Sequence, residues 1–190
     1  MIGIIGFGNM GRAIASRIGK KIFVSDAVKK KILKGIKATW LQDNIELARR
    51  SDVIIIAVKP QDVEPVLREI KPYTKGKLII SIAAGLKTLS IERSLGRRVR
   101  VIRIMPNMPI MAGKGISAVT RGRFSGQKDF KIACNIFSNV GEVVEVKENM
   151  MDAVTAISGS GPAYYFLFTY LLQKAAEANG LGKGLAMKLA

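Results

Sequence analysis

Solid runs of apolar residues alternate along this chain with stretches of helical spacing. Residues 2–5, 21–25, 53–58, 78–83 and 99–105 read as strands. The six consecutive apolar positions at 53–58 form the pattern of a strand covered on both faces, as in a parallel sheet. Between these runs, residues 10–18, 28–34, 45–50, 62–70 and 90–95 carry helical periodicity. Gly19 and Gly35 close the first two helices, and Asp43 or Asn44 is placed to cap the third. A short strand is expected at 36–39. The alternation predicts an α/β fold, a Rossmann-type doubly wound and mostly parallel sheet with helices on both faces.

After Pro106 the rhythm breaks. Residues 115–120 and 142–146 read as strands around a helix at 127–137, and from Met150 onward strand signals vanish. Residues 163–172 are apolar almost all the way round a helix, which implies burial on every side or a place in an oligomer interface. Bounded by Pro162 and Gln173, that stretch is far shorter than the roughly 20 residues of a membrane span. A boundary is expected near Glu148, between an α/β domain at 1–148 and the start of an all-helical domain at 149–190. Residues 184–190 read as the opening turns of a further helix, so the helical domain is expected to be incomplete.

Composition narrows the chemistry. The 190 residues are 48% apolar and 24% charged, the balance of a globular chain rather than a disordered one. Histidine is absent, and Cys134 is the single cysteine. No histidine can therefore serve as a base, no disulfide can form within the chain, and no structural metal is expected. Cys134 reads as a small apolar residue of a helix. Sparse cysteine suits a reducing compartment, and no secretion leader precedes the first strand, so a cytoplasmic location is expected.

The net charge of +17 is concentrated. Residues 1–37 hold nine Lys or Arg and one acid, and residues 93–128 hold nine and none. A phosphate-rich small molecule or a solvated surface explains these blocks. Nucleic acid is not the expected partner, because the blocks lack interleaved aromatics and any nucleic-acid motif.

One motif carries specific chemistry. Gly6-Phe7-Gly8-Asn9-Met10-Gly11 follows the first strand and opens the first helix, the setting in which GxGxxG binds a dinucleotide. The first glycine permits the turn, the second admits the pyrophosphate, and the third lets helix and strand approach. Asp26 lies 20 residues after Gly6, where an acid receives the ribose 2′-hydroxyl of NAD. Lys29, Lys30 and Lys31 follow and would neutralise the 2′-phosphate of NADP. NAD and NADP both remain open as the cofactor.

Later segments carry a family resemblance. Asp52-Val-Ile-Ile-Ile-Ala-Val-Lys59-Pro60-Gln61, Ser81-Ile-Ala-Ala-Gly85, Arg103-Ile-Met-Pro-Asn-Met-Pro109 and Asp152-Ala-Val-Thr-Ala-Ile-Ser-Gly-Ser-Gly-Pro-Ala-Tyr164 occur in this order. The series resembles pyrroline-5-carboxylate reductase, from Gly3 to Ala190. The resemblance implies NAD(P)H-dependent reduction of Δ1-pyrroline-5-carboxylate to L-proline, by hydride transfer to an imine carbon. It also implies a homodimer or higher homo-oligomer formed through the C-terminal helices.

Residue by residue, the resemblance implies that Gly6 to Gly11 lie on the pyrophosphate and that Ser25, Asp26 and Asn44 lie near the adenosine ribose. Ala57, Val58, Lys59 and Pro60, with Ala83, Ala84 and Gly85, would line the cofactor. Asn107, Glu148 and Ser158 would face the substrate, with residues 158–162 forming a break between helices. The family's Ser-Pro-Gly-Gly-Thr-Thr segment, which binds the substrate carboxylate, would lie beyond Ala190, so no catalytic residue is assigned within the chain. Met108 and Ile110 depart from the family's usual Thr and Ala. Two other readings are open. One is a different dehydrogenase of Rossmann-plus-helical build, acting on a hydroxy acid or an oxidised deazaflavin. The other is a non-catalytic dinucleotide-binding protein.

Overall fold

Strands that are apolar on both faces require cover on both faces, and the chain supplies it by returning through helices. A computed structural model describes every residue except Lys30, Leu33 and Arg97. In chain order its elements are strand β1 (Ile2–Ile5), helix α1 (Asn9–Arg17), β2 (Ile22–Ser25), β3 (Ala38–Trp40), α2 (Asn44–Arg50), β4 (Val53–Ile56), α3 (Pro60–Ile70), β5 (Leu78–Ser81), α4 (Thr88–Leu95), β6 (Arg100–Pro106), β7 (Gly115–Arg121), α5 (Gln127–Phe137), β8 (Gly141–Glu145), α6 (Met151–Val154), α7 (Gly161–Ala178) and α8 (Lys183–Leu189). The strands form one sheet in the order β3-β2-β1-β4-β5-β6-β7-β8. Every neighbouring pair is parallel except β6 with β7. This is the doubly wound, mostly parallel sheet that the hydrophobic pattern predicts.

Side chains alternate between two cores across the sheet. Ile4, Ile55, Ile80 and Ile102 pack with Ile14 of α1 and Phe137 of α5 on one face. Ile5, Ile54, Ile79 and Val101 pack with Leu47, Val63, Leu67 and Ile91, from α2, α3 and α4, on the other. Burying one such side chain stabilises the fold by about 1.5–3 kcal/mol.

The helix expected at 28–34 does not form among the described residues. The Asp26 carboxylate accepts from the Val28 amide at 2.9 Å, turning the chain directly after β2. Val28 is 64% exposed, and of the described residues that follow it Ile32 packs against the core. Like charges on neighbouring lysines oppose a helix further. Lys29 and Lys31 are exposed there, and Lys30 lies outside the described residues. The strand expected at 36–39 forms two residues later, as β3.

The expected break at 158–162 is a widened turn instead. Residues Thr155–Gly159 form a π-helical turn between α6 and α7, closed by the Ser160 amide donating to the Thr155 carbonyl at 2.9 Å. Pro162 fits the first turn of α7, where a missing N–H has no helical partner to lose. Of the two alternatives for the apolar helix, burial on all sides is excluded within one chain. Tyr165 is 75% exposed, and Phe166 and Phe168 are also open to solvent.

Candidate active site

Strand order reverses at β1, with β2 on one side and β4 on the other. Crossovers leaving in opposite directions open a crevice at the carboxyl ends of these strands. The crevice widens into a cleft of about 860 Å³. Gly6, Gly8, Asn9 and Met10 line it from the β1–α1 turn, and Ala57, Val58, Lys59 and Pro60 from the β4–α3 turn. Asp26 and Asn44 line the end toward β2. Ala83, Ala84, Met105, Asn107, Met108 and Gly159 line the end toward β6.

The three glycines of the loop are needed for different reasons. Gly6 has φ +94°, and a Cβ there would lie 2.7 Å from the Ala57 carbonyl carbon. A Cβ on Gly11 would overlap the Gly6 carbonyl oxygen. Both positions are therefore reserved by the chain's own packing. A Cβ on Gly8 would meet nothing within 4 Å. That open space, at a helix start without a side-chain cap, is where backbone amides are available to an anion. The loop thus fits a dinucleotide pyrophosphate.

Behind the loop, side chains hold the geometry. The Phe7 ring is fully buried and meets Trp40 edge-on at 5.3 Å, so only its backbone can serve the cleft. The Phe7 amide donates to Asp26 Oδ2 at 2.6 Å, tying the glycine loop to the end of β2. Ser25 is buried and donates to Asn44 Oδ1 at 2.7 Å, while Asn44 Nδ2 donates to Glu69 at 2.7 Å. Of the two expected caps for α2, Asp43 takes the role, accepting from the Glu46 amide at 2.7 Å, and the Asn44 side chain is held at the cleft edge by Ser25 and Glu69. Gly85, at φ +76°, sits exposed beyond the lining.

At the far end, Asn107 bridges two parts of the chain. Its Oδ1 accepts from the Ile116 amide at 2.9 Å, and its Nδ2 lies 3.4 Å from Ser158 Oγ on the π-turn. Glu148 is not part of the lining. One carboxylate oxygen accepts from Arg103 at 2.7 Å and the other from the Thr88 hydroxyl at 2.7 Å. Sequence reasoning gave Arg103 and Thr88 no role. Arg103 sits within the quoted Arg103–Pro109 motif, but its partner lies 45 residues away and no spacing rule reaches it.

Cys134 is half-buried in α5, and burial pushes its thiol up, with the Glu145 carboxylate adding to the shift. It lies away from the cleft lining.

Comparison with known proteins yields two family matches. Residues 1–85 match the family described as NADP oxidoreductase coenzyme F420-dependent, and residues 148–190 match pyrroline-5-carboxylate reductase dimerisation. The pyrroline-5-carboxylate reductase of Aquifex aeolicus is 36% identical over 197 residues, which is 100% of this chain and 73% of that protein. That of Methanosarcina acetivorans is 38% identical over 201 residues, 100% of this chain and 74% of that protein. The crystal structure of Plasmodium falciparum pyrroline carboxylate reductase with NADP bound matches with a TM-score of 0.92 and 37% identity, over 99% of this chain and 73% of that one.

Proposed function

This chain belongs to the pyrroline-5-carboxylate reductase family, and we propose that its cleft is where dinucleotide and imine meet. The chain is an NAD(P)H-dependent oxidoreductase of proline synthesis, reducing Δ1-pyrroline-5-carboxylate to L-proline. NADPH or NADH, when bound, supplies the hydride. The Gly6–Gly11 loop receives the pyrophosphate on its amides. Ser25, Asp26 and Asn44 serve the adenosine ribose, and the turn at 57–60 with Ala83 and Ala84 borders the rest of the cofactor.

The observation that carries the reading is the pairing within one cleft of the glycine loop with Asn107 and the π-turn. Asn107 and Ser158 face the substrate, and Glu148 acts from behind them. The lining contributed by Met105, Asn107, Met108 and Gly159 carries no titratable group. An imine nitrogen is basic enough to arrive protonated, so this end needs to place the reacting carbon rather than supply a proton. The absence of histidine is consistent with that chemistry.

Copies of the chain assemble through the family's dimerisation segment. The exposed aromatic face of α7 is the surface we assign to that contact, as a homodimer or a larger ring. Among the described residues no helix is long and apolar enough to cross a membrane. The lone cysteine supports a cytoplasmic setting.

The test is oxidation of NADPH and NADH in the presence of pyrroline-5-carboxylate, with cofactor binding followed separately by fluorescence. Oxidation that requires the imine is expected. Oxidation with a hydroxy acid or deazaflavin instead would reassign the substrate. Cofactor binding without turnover would favour a non-catalytic dinucleotide-binding protein.

A further inference from the structure

Among the described residues the largest fully buried side chain is a charged one, Arg103, with only 1% of its surface exposed. It sits in β6 between Val101 and Met105 on the sheet face shared with α4. Its Nη1 donates to Glu148 Oε1 at 2.7 Å, at the first residue of the helical segment. Glu148 Oε2 takes the Thr88 hydroxyl at 2.7 Å and the Thr88 amide at 3.3 Å, at the start of α4. Among the described residues Arg103 Nη2 has no hydrogen-bond partner, and it stands 3.7 Å from Asp152 Oδ1, one turn further along. Two residues up the same strand face, Met105 lies under the π-turn, where a Cβ on Gly159 would come 2.6 Å from Met105 Cε. One face of β6 therefore grips the helical segment twice, by charge at its first residue and by contact beneath Gly159.

Burying a guanidinium is unfavourable unless it is paired, and an apolar residue would fill this place at lower cost. What the charge adds is a fixed direction. A charge-assisted bond at 2.7 Å sets the angle at which residues 148–160 leave the sheet, and a contact alone would let that angle vary. We propose that Arg103 is a positioning residue. By clamping Glu148 against Thr88, it holds the π-turn, with Gly159 in the cleft lining and Ser158 against Asn107. Arg103 is not part of the cleft lining. Its effect on the reaction rests on the reading of the cleft given above, whereas its effect on the π-turn does not.

The experiment uses the full chain with Arg103→Lys, which keeps the charge and loses the fork, and Thr88→Val, which removes one hydroxyl at the other end of the clamp. Cofactor affinity, kcat and the KM for the imine are measured. Hydrogen exchange is followed over residues 151–162 and, as a control, over β1 and α1. The expected result is a kcat lowered about tenfold in Arg103→Lys and about threefold in Thr88→Val, with cofactor affinity held within about twofold. Exchange should quicken at 151–162 and stay unchanged in the control. The double variant should lose less than the product of the single losses, because both act through one carboxylate. Unchanged kcat in both variants would overturn the proposal, and so would equal losses of turnover and cofactor affinity. If Arg103→Lys does not fold, Thr88→Val decides alone. If the unaltered chain binds cofactor but does not turn over, the reading of the reaction fails. Exchange then decides the clamp, and unaltered protection at 151–162 would overturn it.

Discussion

The β-sheet and helix α7 have similar apolar content and opposite fates. All four residues of β4 and of β5 are buried, because helices of the same chain, before and after these strands, cover both faces. Helix α7 runs through Tyr164, Tyr165, Phe166, Leu167 and Phe168 with each of them exposed. Met151 and Ala186 are the buried apolar residues among the described residues after Glu148. Apolar sequence therefore states a need for cover but not where the cover comes from. In the sheet it is intramolecular, and at α7 we assign it to another copy of the chain.

The sharpest break in that comparison comes at Gly11. Gly11→Ala forces a Cβ into the Gly6 carbonyl, and α1 must shift from the sheet. The expected loss is about 2–3 kcal/mol of stability, with cofactor affinity reduced about a hundredfold. Thermal denaturation and cofactor titration read the two effects. Gly8→Ala should separate them. Its Cβ enters open space, so the melting temperature should hold while cofactor affinity falls about tenfold or more. A variant that binds cofactor normally would show that the open space serves something else.

On the other side of the comparison, Phe168→Asp should leave the sheet intact and weaken self-association by about 2 kcal/mol, because the ring is 62% exposed in one chain. Light scattering across a dilution series would show it, and unchanged mass at every concentration would move the contact off α7. A smaller effect is expected at the edge of the cleft. Ser25→Ala removes the donor to Asn44 and should lower stability by about 1 kcal/mol, with a modest loss of cofactor affinity.

The smallest effect concerns Cys134. Burial holds its thiol protonated to higher pH than the usual value of 9.0, so the folded state keeps a proton that the unfolded chain loses. Its contribution to stability is whole below that value and declines as pH rises through it. The thiol should react with a disulfide reagent more slowly in the native protein than in the unfolded chain at pH about 8. Equal rates would mean that α5 does not shield it.

Much of the architecture was legible beforehand, and for local reasons. Solid apolar runs mark buried parallel strands, and the glycine loop is contiguous, so the turn, the helix start and the open space at Gly8 appear together in six residues. The helix expected at 28–34 is absent among the described residues, where the Asp26 carboxylate takes the Val28 amide in a turn directly after β2. The cleft was legible where its residues border strand ends, as at 57–60. It was not legible at Glu148, whose surroundings come from β6 and α4.

By itself, then, the sequence determined the α/β rhythm, the dinucleotide loop and the excess of apolar surface at the C-terminal helices, because each depends on neighbours within one or two turns of chain. Only the tertiary structure decided that Asp26 braces the glycine loop, that Asn107 reaches Ser158, and that Arg103 holds Glu148 against Thr88. Those pairings join residues 19 to 60 positions apart. They exist because strand order and the turn of α6 into α7 carry distant positions to one end of the sheet, where a buried charge is stable only beside its partner.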